Sequence, residues 1–168
     1  MKKTLAILFA FLHVGMLLSQ SIPKRDSLNK LLRSATTADT SKAKIYNTFA
    51  RAFVPNSPDS IIFYGKKGVE SVVSDKKWKS NLINTVGVGF FNKSEYDSAL
   101  HYYLTALKLR EEINNEKLIS SSYNNIAVIY QIKGESKKAM EYYFKNLKFR
   151  EKINDQKGIA NACDNIAN

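Results

Sequence analysis

The chain has one cysteine, two histidines, three prolines and seven glycines in 168 residues. With Cys163 alone no internal disulfide can form, so packing must hold the fold together. No histidine or basic cluster lies near Cys163 to lower its thiol pKa, and it reads as a small apolar residue buried on a helix. His13 and His101 do not make a paired metal motif, and His101 reads as a solvent-facing helix position. The glycines of "TVGVGF" lack the third glycine and the preceding strand of a dinucleotide fingerprint, and "YGKKG" lacks the first glycine of a phosphate loop. Glu111 and Glu112 are adjacent, so on a helix they point to different faces. The residues supply no catalytic, cofactor or metal-ligand set, and no enzymatic activity is expected unless a further domain, such as a kinase, follows residue 168. Scarce Pro and Gly, with no low-complexity tract, also exclude a linker-dominated or disordered chain.

Positive charge is what the chain has in excess: 26 Lys and Arg against 15 Asp and Glu, a formal charge of +11. That balance favours acidic partners or an anionic surface. The bases are dispersed over helical faces, the usual pattern of solvated surface. The N-terminal "MKKTLAILFAFLHVGMLLSQS" runs from two lysines through an apolar stretch, residues 5–18, to small polar residues, the layout of a secretory signal. This stretch is shorter than the ~20 residues that cross a bilayer as a helix. Residues 1–20 are therefore expected to be a signal cleaved near Ser19 or Gln20, with an uncleaved N-terminal anchor as the alternative; residues 21–41 lead to the first helix. The protein is expected to be exported, periplasmic or membrane-associated, touching a membrane only through an uncleaved leader or a segment beyond residue 168.

The strongest signal is internal repetition. At a constant offset of forty residues Glu95 matches Glu135, Ala99 Ala139, Tyr102 Tyr142, Tyr103 Tyr143, Arg110 Arg150, Asn125 Asn165, Ile126 Ile166 and Ala127 Ala167. Within a unit, Ala99, Tyr102, Tyr103, Ala106 and Leu107 recur at i, i+3, i+4, i+7, i+8, one buried stripe of a helix. Tyr123, Ile126, Ala127 and Tyr130 repeat the spacing on a preceding helix, and Gly134 suits a left-handed helix end between them. In the turn of the earlier unit, Ser94 and Asp97 have the spacing of a capping box. Upstream, Ser57 as N-cap and Pro58 in the first helical position open a degenerate second helix, where Gly65 and Gly68 weaken the interior by up to about 1 kcal/mol each. Its partner is "KAKIYNTFARAF", residues 42–53.

Val86, Gly87, Phe90, Ala99, Tyr103 and Ala106 in one unit, and Ile126, Ala127, Tyr130, Ala139 and Tyr143 in the next, fall into a small-and-aromatic pattern. On these residues the chain resembles the tetratricopeptide repeat (TPR) proteins over about residues 42–168. It departs from their pattern in Asn146, which replaces the last small residue, in Ile83 at the aromatic position that Trp78 misses, and in having no Pro to close a unit. Its period is forty instead of about 34 residues, the longer variety of the repeat. The resemblance implies an all-α fold, a right-handed α-solenoid of stacked antiparallel helix pairs with units at about 42–76, 78–116 and 118–156. The remaining "KGIANACDNIAN", residues 157–168, reads as an incomplete unit with Ile159 and Ile166 partly unpartnered, as at the front of a longer protein.

In that family the first helices line a concave face that engages extended peptides. By register the face would comprise Lys44, Asn47 and Arg51, then Asn81 and Asn84, then Ser121, Asn124 and Gln131, then Asn161 and Asp164. The Asn column 47, 84, 124 suits a peptide backbone because an amide both donates and accepts, although Asn is also an ordinary polar residue for a solvated helix face. Asn125 and Asn165, one step round the helix, read as braces to a neighbouring helix. Two functions follow as expectations. One is an exported scaffold for a protein or peptide, acidic in character, including the variant in which the array is the extracytoplasmic sensor of a histidine kinase or transcriptional regulator. The other is a basic helical solenoid for nucleic acid, disfavoured by the leader and by the core positions of Tyr102, Tyr103, Tyr142 and Tyr143, which keep those rings from stacking on bases.

Overall fold

The computed structural model describes residues 26–34, 39–53 and 57–167. The expectations for residues 1–20 lie outside these. The chain divides into two compact units, Met1–Ala38 and Asp39–Asn168. In the first, residues 26–34 form helix α1. The second consists of α2 (Asp39–Thr48), a π-turn (Phe49–Phe53), α3 (Pro58–Glu70), α4 (Lys76–Asn92), α5 (Tyr96–Glu112), α6 (Glu116–Ile132), α7 (Ser136–Lys152) and α8 (Gln156–Ala167), with no strand among the described residues.

From α3 onward each helix packs on the next, and α2 packs on both α3 and α4. The result is an all-α solenoid. Two 17-residue helices and two three-residue turns make up the forty-residue period. Four successive turns share one geometry: Ser94, Asn114, Gly134 and Asn154 have positive φ of 60°, 50°, 73° and 53°. In each, that residue's N–H and the next one's reach back to the end of the preceding helix, as in Ser94 to Phe91 O and Glu95 to Phe90 O. This is the left-handed helix stop that satisfies orphaned carbonyls. Ser94 is therefore not a cap: the N-cap of α5 is Glu95, and Ser94 takes the place that Gly134 holds one unit on. Capping chemistry belongs to the first helices instead, where Asp75, Asn115 and Asp155 each accept from the backbone N–H three residues ahead. Ser57 and Pro58 open α3 as expected, with the Ser57 hydroxyl bonded to Ser60 Oγ.

Small residues set the helix spacing. Ala99, Ala127 and Ala139 are buried between helices, and Tyr103 and Tyr143 fill the space beside them. Gly65 and Gly68 are more than weak points in α3. A Cβ on Gly68 would stand 2.4 Å from Leu82 Cδ2, and one on Gly65 2.7 Å from Val86 Cγ2, so these glycines let α3 lie against α4. Two core expectations are corrected. Tyr102 and Tyr142 are only half-buried, stacked on Phe90 and Tyr130 at centroid distances of 5.2 and 5.7 Å. Cys163 is exposed. It stands where α6 has Tyr123, on the helix face that α7 covers, and among the described residues no helix lies over that face of α8.

Candidate functional site

Adjacent first helices are stitched together by polar side chains. Thr85 Oγ1 on α4 donates to Asn47 Oδ1 on α2 (2.8 Å), Asn125 Nδ2 on α6 donates to Asn84 Oδ1 on α4 (3.1 Å), and Asn165 Nδ2 on α8 donates to Asn124 Oδ1 on α6 (2.8 Å). Asn125 and Asn165 thus brace the helix before their own, as their register suggested. Half of the Asn column's bonding capacity is spent in the same way. Asn84 is 8% exposed, and its carbonyl also accepts from Arg110 Nη1 at 3.3 Å.

Arg110, near the C-terminal end of α5, lies beneath this face and is 3% exposed. Its guanidinium donates to Asn84 Oδ1, Asn81 Oδ1, Ser122 Oγ (2.6 Å) and the Leu118 carbonyl, all neutral acceptors, while Nε is unpartnered. Burial without a carboxylate lowers its pKa from 12.5 to about 10.

One unit later the same architecture is open. Arg150 on α7 pairs with Asp155, its Nε reaches Asn146 Oδ1 at 3.4 Å, and Nη2 reaches Ser121 Oγ at 3.5 Å. Asn146 also takes the Ser120 hydroxyl at 2.6 Å; in the earlier unit Ala106 stands at the Asn146 position, which is why Arg110 Nε lacks an acceptor. Asp155 Oδ1 accepts the Gly158 N–H, and this bond, followed by the Arg150 pair, holds its carboxyl below the usual range. Around the pair opens a groove of about 660 Å³ between α6 and α8, floored by α7. It brings together four of the residues read from sequence, Ser121, Asn124, Asn161 and Asp164, and adds Lys117 and Arg150.

The other sequence-derived positions are dispersed. Asn81 and Asn84 surround Arg110; Asn47 is tied to Thr85; Gln131, at the far end of α6, accepts the Tyr143 hydroxyl at 2.6 Å. Lys44 is exposed on α2, and Arg51 lines a separate hollow of about 190 Å³ with Thr85 and Asn92. Sequence reasoning missed Arg150, Asn146 and Lys117 as parts of the groove. Arg150 carried a signal, since it repeats Arg110, but its place is on a second helix, which the family pattern assigns to the outer layer. The nucleic-acid alternative gains nothing here, since Tyr102 and Tyr142 spend a ring face on Phe90 and Tyr130.

No family model matches the chain, and no curated protein matches it in sequence. Solved structures do. The TPR domain of Arabidopsis FLU aligns with a TM-score of 0.63 at 18% identity, over 68% of this chain and 99% of that one. Apo RapI aligns at 0.74 and 20% identity, over 85% of this chain and 53% of its own. The Pyrococcus horikoshii STAND protein PH0952, with a tetratricopeptide repeat sensor, aligns at 0.67 and 20% identity, over 77% of this chain and 21% of its own. The chain thus spans about half of RapI and a fifth of the STAND protein. The fold is that of a tetratricopeptide-type solenoid.

Proposed function

We propose that this protein is a non-catalytic scaffold that binds an extended segment of a partner protein across its first helices. One observation carries this reading: a groove of about 660 Å³ lined by amides, a hydroxyl, the cations Lys117, Arg150 and Lys157 and the carboxylates Asp155 and Asp164, groups that can donate to and accept from a peptide backbone. Asn124, Asn125 and Asn165 are held in place by the bonds between first helices, so less side-chain entropy remains for them to lose on binding. Selection of random displayed peptides on the protein should yield binders whose affinity falls at least tenfold in Asn124→Ala/Asn161→Ala and is unchanged in Thr105→Ala on the exposed side of α5. Selected peptides indifferent to the double variant would overturn the reading.

We further propose that the array is exported and serves as an input module, as the repeats of the STAND protein serve as its sensor. The basic-then-apolar leader of residues 1–20 supports this. Alkaline phosphatase fused after residue 168 should be active in bacterial cells with the native leader and inactive without residues 1–20. Equal activity of the two fusions would refute export.

A further inference from the structure

Two surface ion pairs stand at equivalent places in successive units with their charges exchanged. At the start of α4, Lys76 bonds Glu112 at the end of α5 (2.9 Å); forty residues on, Glu116 at the start of α6 pairs with Lys152 at the end of α7. All four side chains are at least a third exposed, so neither pair contributes much to stability. Their signs matter for a different comparison. α4 set against α7 would bring Lys76 to Lys152, and α6 set in the place of α4 on α5 would bring Glu116 to Glu112. Such arrangements compete with the native fold. The units match at their apolar positions, as Ala99 with Ala139 and Tyr103 with Tyr143, so a helix from the wrong unit offers nearly the same core contacts. Even Asn146 of α7 would find a hydroxyl on α4, which has Ser80 where α6 has Ser120. Looping out the helices in between costs chain entropy that grows only with the logarithm of loop length. Misassembly is a characteristic failure of repeat proteins.

The seams on either side are marked by other means. Gly68 of α3 receives Leu82 of α4, and α6 has Ser122 at the Leu82 position, so α3 against α6 would leave that space unfilled. Arg110 of α5 donates to the Ser122 hydroxyl of α6, and α8 has Ala162 there, so α5 against α8 would take an acceptor from a buried guanidinium. Between α4 and α5 the discrimination falls to charge. We infer that the exchanged ion pairs are a register device, which directs α4 to α5 and α6 to α7 while the chain folds. They act by making the wrong pairings repulsive, and the small stability of each native pair is incidental to that role. The reversal of sign from one unit to the next is the feature that does this, since two pairs of the same polarity would fit either partner equally well.

The test compares refolding of the whole chain with that of two charge variants, by dilution from urea followed by a short trypsin pulse and mass spectrometry of the fragments. Lys76→Glu/Glu112→Lys keeps an ion pair between α4 and α5 and keeps the net charge, but gives both units the same polarity, so that α4 complements α7 as well as α5. Its thermal midpoint should equal the parent's, while the fraction of refolded chains cut within α5 and α6, with α4 and α7 protected, should rise at least threefold. The quadruple variant Lys76→Glu/Glu112→Lys/Glu116→Lys/Lys152→Glu restores opposite polarity with none of the four original residues in place, and it should refold as the parent does. At 1 M salt, where the screening length falls to about 3 Å, the difference between the parent and the double variant should shrink. An unchanged cleavage pattern in the double variant, cutting spread over all the helices, or a quadruple variant that behaves like the double one would each overturn the inference.

Discussion

At the scale of single residues, two arginines at equivalent positions have different surroundings. Arg110 is sealed under neutral oxygens; Arg150 sits in an open groove with Asp155. The difference traces to positions where the repeats diverge: Asn115 against Asp155 and Ala106 against Asn146. Asp155 also has a pH signature. Its carboxyl is held below the usual range, so its contribution to stability is complete above about pH 4, where the unfolded carboxylate is ionised, and is lost as pH falls through the lower folded value. Asp155→Asn should keep the helix cap, as Asn115 does, and lose the ion pair. In urea unfolding the variant should be less stable than the parent at pH 7, and the gap should close as pH falls from 4 to 2; a gap independent of pH would count against this role. Little of this was legible in the sequence. Asn146 stood out as a departure from the family pattern, but its meaning depends on Ser120, 26 residues away, and on Arg150 one turn along.

At the scale of elements, the turns decide the period. Each needs one residue in the left-handed region, and Gly and Asn supply it at three of the four positions, Ser at the fourth. An L-residue other than Gly or Asn pays about 1–2 kcal/mol there, against the roughly 0.5–1 kcal/mol that Gly costs through the unfolded chain. Ser94→Gly should therefore stabilise the protein by about 0.5–1 kcal/mol, read as a higher midpoint in thermal denaturation; a lower midpoint would mean that the serine side chain contributes something beyond the turn. The helices themselves were legible because their apolar spacing is regular. The misreading of Ser94 as a cap came from local spacing alone, since an acidic residue three positions on satisfies the capping pattern whether or not the helix starts there. Aligning Ser94 with Gly134 would have corrected it, and aligning Asp75, Asn115 and Asp155 would have found the true caps.

For the molecule as a whole, stability should follow nearest-neighbour rules, because every helix from α3 onward packs chiefly on the ones before and after it. The middle of the array, α4 to α6, has neighbours on both sides and contributes most of the larger hydrophobic cluster. Native-state hydrogen exchange should accordingly protect amides of α4, α5 and α6 most, with α2 and α8 opening first; uniform protection would show one cooperative unit instead. The fold class was readable from two well-matched units. The first unit was legible in outline, in its Ser57–Pro58 start, but not in detail, since a π-helical turn follows α2 and Gly65 and Gly68 let α3 lie against α4.

From α4 to α8 the turns within a unit and the turns between units have one and the same geometry, so the backbone of these turns marks no seam. A forty-residue cassette cut after Asn114 and again after Asn154 would present identical joints at both ends, whichever helix pair is counted as the unit. Such a solenoid can be lengthened by splicing one cassette, and the Arg150 ahead of the splice would then meet Asn115 in place of Asp155.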